Sequence, residues 1–135
     1  MVKRKKLVYV IDDDESMRRA FQLLFRSADF DVQAFCSGEE FLESTGLSEG
    51  SCIILDMRMP GMTGLELQKE LASRKIRIPV IGVSAYDDAP TRDLARALGA
   101  VAFFRKPVDD QALIDAILWA MGDTKTRSVP SDSRF

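Results

Sequence analysis

Five times along the chain a short apolar run is followed by a segment of helical periodicity, and few arrangements can bury such a pattern. The runs are KLVYVI (6–11), DVQAF (31–35), SCIILD (51–56), IPVIGVS (78–84) and AVAFF (100–104). Strand-length runs separated by helices read as βαβ units, whose crossovers bring strands parallel into one sheet. The first, third and fourth are almost uninterrupted apolar stretches, as strands covered on both faces require. DVQAF is more polar and suits an edge.

The helices between them are marked by spacing and by caps. Met17, Ala20, Phe21, Leu24 and Phe25 recur at the intervals that align one face of a helix. Ser37 with Glu40, and Thr63 with Glu66, have the arrangement of a capping box, so each is expected to open a helix. Pro90 suits the first turn of a fourth helix, in which Leu94, Ala95 and Leu98 form an apolar stripe before Gly99 stops it. Asp109 or Asp110 can cap the fifth, which runs through Leu113, Ile117 and Leu118. Asp14 and Glu15 read as cap and first-turn acids of the first helix. After Met121 the text turns polar and aperiodic. Residues 1–122 are therefore expected to form one domain, and residues 123–135 a polar tail or the start of a linker.

A chain of 135 residues can bury a core without disulfides or metal staples. Cys36 and Cys52 lack metal-ligand or redox spacing and read as small buried hydrophobes. No apolar run is long enough for a bilayer, and the basic start from Lys3 to Lys6 leads into acids without a cleavage site, so a cytoplasmic location is expected. Net charge is −2, and that basic run is explained by solvation, so this segment is not expected to bind nucleic acid. The absence of histidine excludes histidine general bases and Ser/His/Asp triads within the chain. Chemistry must use carboxylates, hydroxyls and lysine.

Those groups gather at strand ends. VIDDDES places Asp12 and Asp13 after the first run, Asp56 closes the third, Ser84 follows the fourth and Lys106 the fifth. In a doubly wound sheet, the carboxyl ends of the strands share the edge where ligands bind. Two carboxylates about 4 Å apart repel by roughly 4 kcal/mol at an effective dielectric near 20, so the three aspartates need a cation. Mg²⁺ suits a site of carboxylates, water and phosphate oxygens. Lys106 adds further positive charge.

The acidic pair, Asp56 within LDMRMPGMTG, Ser84 and the Lys106-Pro107 dipeptide together resemble the receiver domain of two-component response regulators, over about residues 5–121. VIDDDES and LDMRMPGMTGLELQ look closest to its FixJ-like branch. The resemblance implies a flavodoxin/CheY-like, doubly wound (βα)5 fold with a five-stranded parallel sheet in the order 2-1-3-4-5. It implies that Asp56 is the phosphoacceptor, receiving the group from a phosphohistidine on a sensor histidine kinase. Asp12, Asp13, Asp56 and the backbone carbonyl of Arg58 would hold Mg²⁺, while Ser84 and Lys106 would contact phosphoryl oxygens. Positioning and charge neutralisation are what in-line phosphoryl transfer asks of a protein.

The resemblance also implies a switch. Ser84 would move toward the phosphoryl group, Phe103 would rotate inward, and the Lys106–Pro107 peptide would be cis. The face of the fourth helix, fifth strand and fifth helix would then change, acting on an output domain or partner, or forming a homodimer, with transcriptional control as the expected outcome. Phe103 lacks the hydroxyl of the more familiar tyrosine, so packing alone would hold it. Tyr86 and Arg58, each two residues beyond a reacting group, are placed to overhang the site and hinder water. Two rival functions are a pseudo-receiver that works without phosphorylation and an aspartyl-nucleophile phosphatase. The phosphatase would want an aspartate at position 58, where this chain has arginine.

Overall fold

The computed structural model describes residues 6–86 and 88–122. The expected tail at 123–135 and most of the basic run from Lys3 to Lys6 lie outside the described residues. Five units follow one another: β1 (Leu7–Ile11), α1 (Glu15–Ser27), β2 (Asp31–Phe35), α2 (Gly38–Glu43), β3 (Ser51–Asp56), α3 (Gly64–Ser73), β4 (Val80–Ser84), α4 (Ala89–Ala97), β5 (Ala100–Arg105) and α5 (Asp110–Ala120). All strand pairs are parallel and the order is β2-β1-β3-β4-β5, as the resemblance implied, with the polar β2 at one edge.

Continuous apolar strands are explained by two cores, one on each face. Val8, Val10, Cys52, Ile54, Val83 and Phe104 point toward Phe21 and Phe25 of α1 and Leu113 and Ile117 of α5. The alternate residues Tyr9, Ile11, Ile53, Leu55 and Phe103 face Phe41 of α2, Leu67 and Leu71 of α3 and Ala95 of α4. Since successive side chains of a strand leave opposite faces, each must be apolar when both faces are covered. Phe21 and Phe25 stack with centroids 5.7 Å apart, and Phe25 meets Phe30 edge-on at 6.3 Å. Burying each such ring contributes roughly 1.5–3 kcal/mol.

Caps fix where the helices start, and these starts frame the sheet's carboxyl edge. Asp14 accepts from the backbone of Ser16 and Met17. Thr63 and Glu66 form the full reciprocal box, and Asp109, rather than Asp110, caps α5 through Ala112 N. At α2 only half the expected box exists. Ser37 accepts from Glu40 N, but the Glu40 carboxylate turns back one residue further and accepts from Cys36 N at 3.2 Å.

Three other expectations are corrected. Cys36 is exposed at the end of β2, with Sγ 3.5 Å from Glu40 Oε2, whereas Cys52 is buried; burial pushes the Cys52 thiol up to about 12. In α4 only Ala95 is buried, and Leu94 is 53% exposed. This helix touches the sheet along a narrow line, and Gly99, at φ +106°, ends it in a conformation that favours glycine. Ala20, placed on the apolar face of α1, is also exposed.

Candidate functional site

The carboxyl ends of β1 and β3 bring three carboxylates together. Asp12, Asp13 and Asp56 each offer an oxygen, and these atoms lie within 4.8 Å of one another. Asp12 is 1% exposed and Asp56 5%, while Asp13 faces solvent. Asp12 is held from two sides: its Oδ1 accepts from Asp14 N at 2.9 Å, and its carbonyl accepts from Arg18 Nη1 at 2.8 Å. Arg18 has no sequence signal beyond its place on α1, and its bracing role appears only when the helix is docked.

Lys106 reaches the cluster from the end of β5. Its Nζ lies 2.9 Å from Asp12 Oδ2 and 3.7 Å from Asp56 Oδ2, with the side chain 15% exposed. Its backbone N donates to Ser84 O at 2.7 Å, which fixes the lysine at the level of the β4 end. The Lys106–Pro107 peptide is cis, as the resemblance implied. Against three carboxylates one ammonium leaves the cluster net negative. Burial first, and the Asp12 charge second, push the Asp56 carboxyl up to about 7, with Lys106 opposing them. A hard divalent cation fits such an all-oxygen, under-neutralised donor set.

Asp56 Oδ1 accepts from Arg58 N at 3.2 Å, and the fully buried Ser84 Oγ accepts from Tyr86 N at 3.2 Å. The backbone beneath Asp56 is set by a close approach at Gly64, the first residue of α3. A Cβ there would fall 2.8 Å from both Asp56 O and Met57 Cα. Glycine thus lets the capped turn of α3 rest on the end of β3, a role its neighbours in MPGMTG do not reveal.

Phe103 is 2% exposed and packs against β4 at Gly82, where a Cβ would meet its Cδ2 at 2.9 Å and Met57 Cε at 3.2 Å. The ring occupies space that any other residue at position 82 would contest. The sequence singles out Phe103 but not Gly82, although a glycine inside a strand run is a signal of close approach.

The candidate site residues therefore gather on one edge of the sheet, with Asp12, Asp13 and Asp56 clustered and Lys106 in reach of Asp12 and Asp56. Residues 8–118 match the family described as the response regulator receiver domain. The chain belongs to that family. Nodulation protein W of Bradyrhizobium diazoefficiens is 46% identical over 116 residues, covering 86% of this chain and 51% of that protein. Transcriptional regulatory protein FixJ of Azorhizobium caulinodans is 37% identical, over 94% of this receiver and 60% of that protein. The receiver thus spans about half the length of the curated relatives it matches. Among solved structures, FixJ-N is similar with a TM-score of 0.82 and 31% identity, over 92% of this chain and 99% of that one. No helix among the described residues is long and apolar enough to cross a membrane.

Proposed function

We propose that this receiver is a phosphoryl-accepting switch in which Asp56 is the acceptor. A carboxylate oxygen of Asp56 attacks phosphorus, the bond from phosphorus to the imidazole nitrogen of a kinase phosphohistidine breaks, and an acyl phosphate results. The observation that carries this reading is the buried Asp56 carboxylate among Asp12, Asp13 and Lys106. Asp12, Asp13, Asp56 and the Arg58 carbonyl would hold Mg²⁺, which when bound supplies charge neutralisation at the phosphoryl oxygens. Lys106 needs little movement to leave Asp12 for a phosphoryl oxygen, and the Ser84 hydroxyl at the end of β4 would bond another.

The output is read as transcriptional control in the cytoplasm, through a further domain or partner, since the longer relatives include a transcriptional regulatory protein. Addition of roughly −1.5 to −2 charges would draw Ser84 toward the site and alter the face of α4, β5 and α5, the face proposed for homodimer or partner contact. Phe103 already lies inside, so phosphorylation would lock its position rather than create it.

Incubation with acetyl phosphate and Mg²⁺ is expected to give a single phosphate adduct by intact mass, absent without Mg²⁺ and absent in Asp56→Asn. A folded protein that takes no adduct from acetyl phosphate or from a kinase would instead be a phosphorylation-independent module.

The Arg58 guanidinium lies over the Tyr86 ring at 4.5 Å, so the two side chains form a strap between the loops flanking the site. We expect it to hinder water attack on the acyl phosphate. Arg58→Ala combined with Tyr86→Ala should shorten the adduct's half-life by about tenfold, corresponding to roughly 1.4 kcal/mol of barrier. An unchanged decay rate, followed by mass after donor removal, would reject the strap as a shield.

A further inference from the structure

Arg58 makes a second connection that phosphoryl transfer itself does not use. Its Nη2 donates to Asp88 Oδ2 at 2.9 Å, thirty residues away in sequence. Asp88 is the N-cap of α4: Oδ1 accepts from Thr91 N at 3.3 Å and Oδ2 from Thr91 Oγ1 at 2.7 Å. Through its own backbone N, Arg58 is also bonded to Asp56 Oδ1. One residue therefore joins the acceptor carboxylate to the first turn of α4.

The bond to Asp88 is of a kind that exchanges readily. The Arg58 side chain is 52% exposed and that of Asp88 26%, and exposed ion pairs are weak. A phosphoryl group on Asp56 would bring roughly twice the charge of a carboxylate to a point two residues from this guanidinium. Its oxygens also match the planar fork of arginine better than a carboxylate already shared with Thr91 does.

We propose that Arg58 is an exchange tether. In the unphosphorylated receiver it holds Asp88 and with it the start of α4; a dianionic phosphoryl group on Asp56 draws it off, releasing that turn. This rests on the reading of Asp56 as acceptor. Asp88 keeps both bonds to Thr91 after release, so α4 stays capped and only its anchorage to the β3–α3 loop is lost.

Linkage then fixes the sign of each mutation. The Arg58–Asp88 pair opposes binding of a phosphoryl group, so weakening it from the Asp88 side should tighten that binding, but only while Arg58 is present. The test uses beryllofluoride with Mg²⁺ as a non-covalent phosphoryl mimic, titrated by calorimetry against wild type, Asp88→Asn, Arg58→Ala and the double variant. Asparagine caps helices as well as aspartate does, so Asp88→Asn removes the charge while keeping the cap.

Asp88→Asn is expected to bind beryllofluoride about three- to tenfold more tightly and Arg58→Ala several-fold more weakly, with the double variant equal to Arg58→Ala. Should Asp88→Asn tighten binding equally in the Arg58→Ala background, the effect is only the loss of a nearby negative charge and the tether is wrong. No tightening at all also overturns it. A folded wild type that binds no beryllofluoride removes the acceptor reading along with the tether, whereas binding with an additive cycle removes the tether alone.

Discussion

Replacing Lys106 with alanine is expected to slow phosphorylation from acetyl phosphate by about a hundredfold, the scale of removing one preorganised charge from a transferring group. The same change should lower the stability of the metal-free protein at pH 7 by about 3 kcal/mol. It strips the ammonium from Asp12, whose side chain is 1% exposed, and breaking a buried pair from one side leaves an uncompensated charge. Two measurements separate the effects. Mg²⁺ should restore much of the midpoint in urea by replacing the lost cation, but should not restore the rate, because an ion at the carboxylates cannot stand where the lysine would meet the phosphoryl oxygen. A rate within about threefold of wild type would remove Lys106 from the transfer step.

Asp56 should make the metal-free protein less stable as pH rises. Its carboxyl is pushed up to about 7 in the folded chain from an ordinary 3.8, so the folded state holds that proton more tightly than the unfolded one does. This group's contribution is therefore complete below about pH 4, is lost between pH 4 and 7, and stays lost above. The loss is of order 1–2 kcal/mol, since water at the mouth of the site screens the charges. Asp56→Asn cannot ionise and should lack this dependence: near-equal to wild type at pH 4, more stable at pH 8. Mg²⁺ should reverse the order at pH 8, because it stabilises the ionised cluster by mass action. Urea midpoints at the two pH values, with chelator or with Mg²⁺, read this directly. A wild type no less stable than Asp56→Asn at pH 8 without metal would show that the cluster is relieved by other means.

Lys106 and Asp56 are both legible in the amino-acid sequence alone. Parallel strands buried on two faces leave continuous apolar runs, so β1, β3 and β4 stand out, and the polar groups ending those runs mark the ligand edge. What sequence does not supply is contact across long separations. The Arg58–Asp88 pair spans thirty residues, and each partner has a local explanation alone, a turn arginine and a helix cap. Glu40 could satisfy Ser37 N or Cys36 N, and only the chain's path at the end of β2 selects the second. The apolar stripe of α4 predicts a helix, but not that Leu94 would lie beyond the line where that helix meets the sheet. Gly64 looks like an ordinary turn residue until the Asp56 backbone stands against it, and Gly82, inside a strand run, signals a close approach without naming the Phe103 ring that makes it.

That Asp56 carries the phosphoryl group is the central claim, and localisation tests it more directly than any rate. The adduct formed with acetyl phosphate and Mg²⁺ can be reduced with borohydride, which converts an acyl phosphate of aspartate to homoserine, and then digested and sequenced by mass spectrometry. Homoserine at position 56 and at no other carboxylate is the predicted result. Homoserine at Asp12 or Asp13 with Asp56 intact would contradict the assignment of acceptor and metal ligands alike.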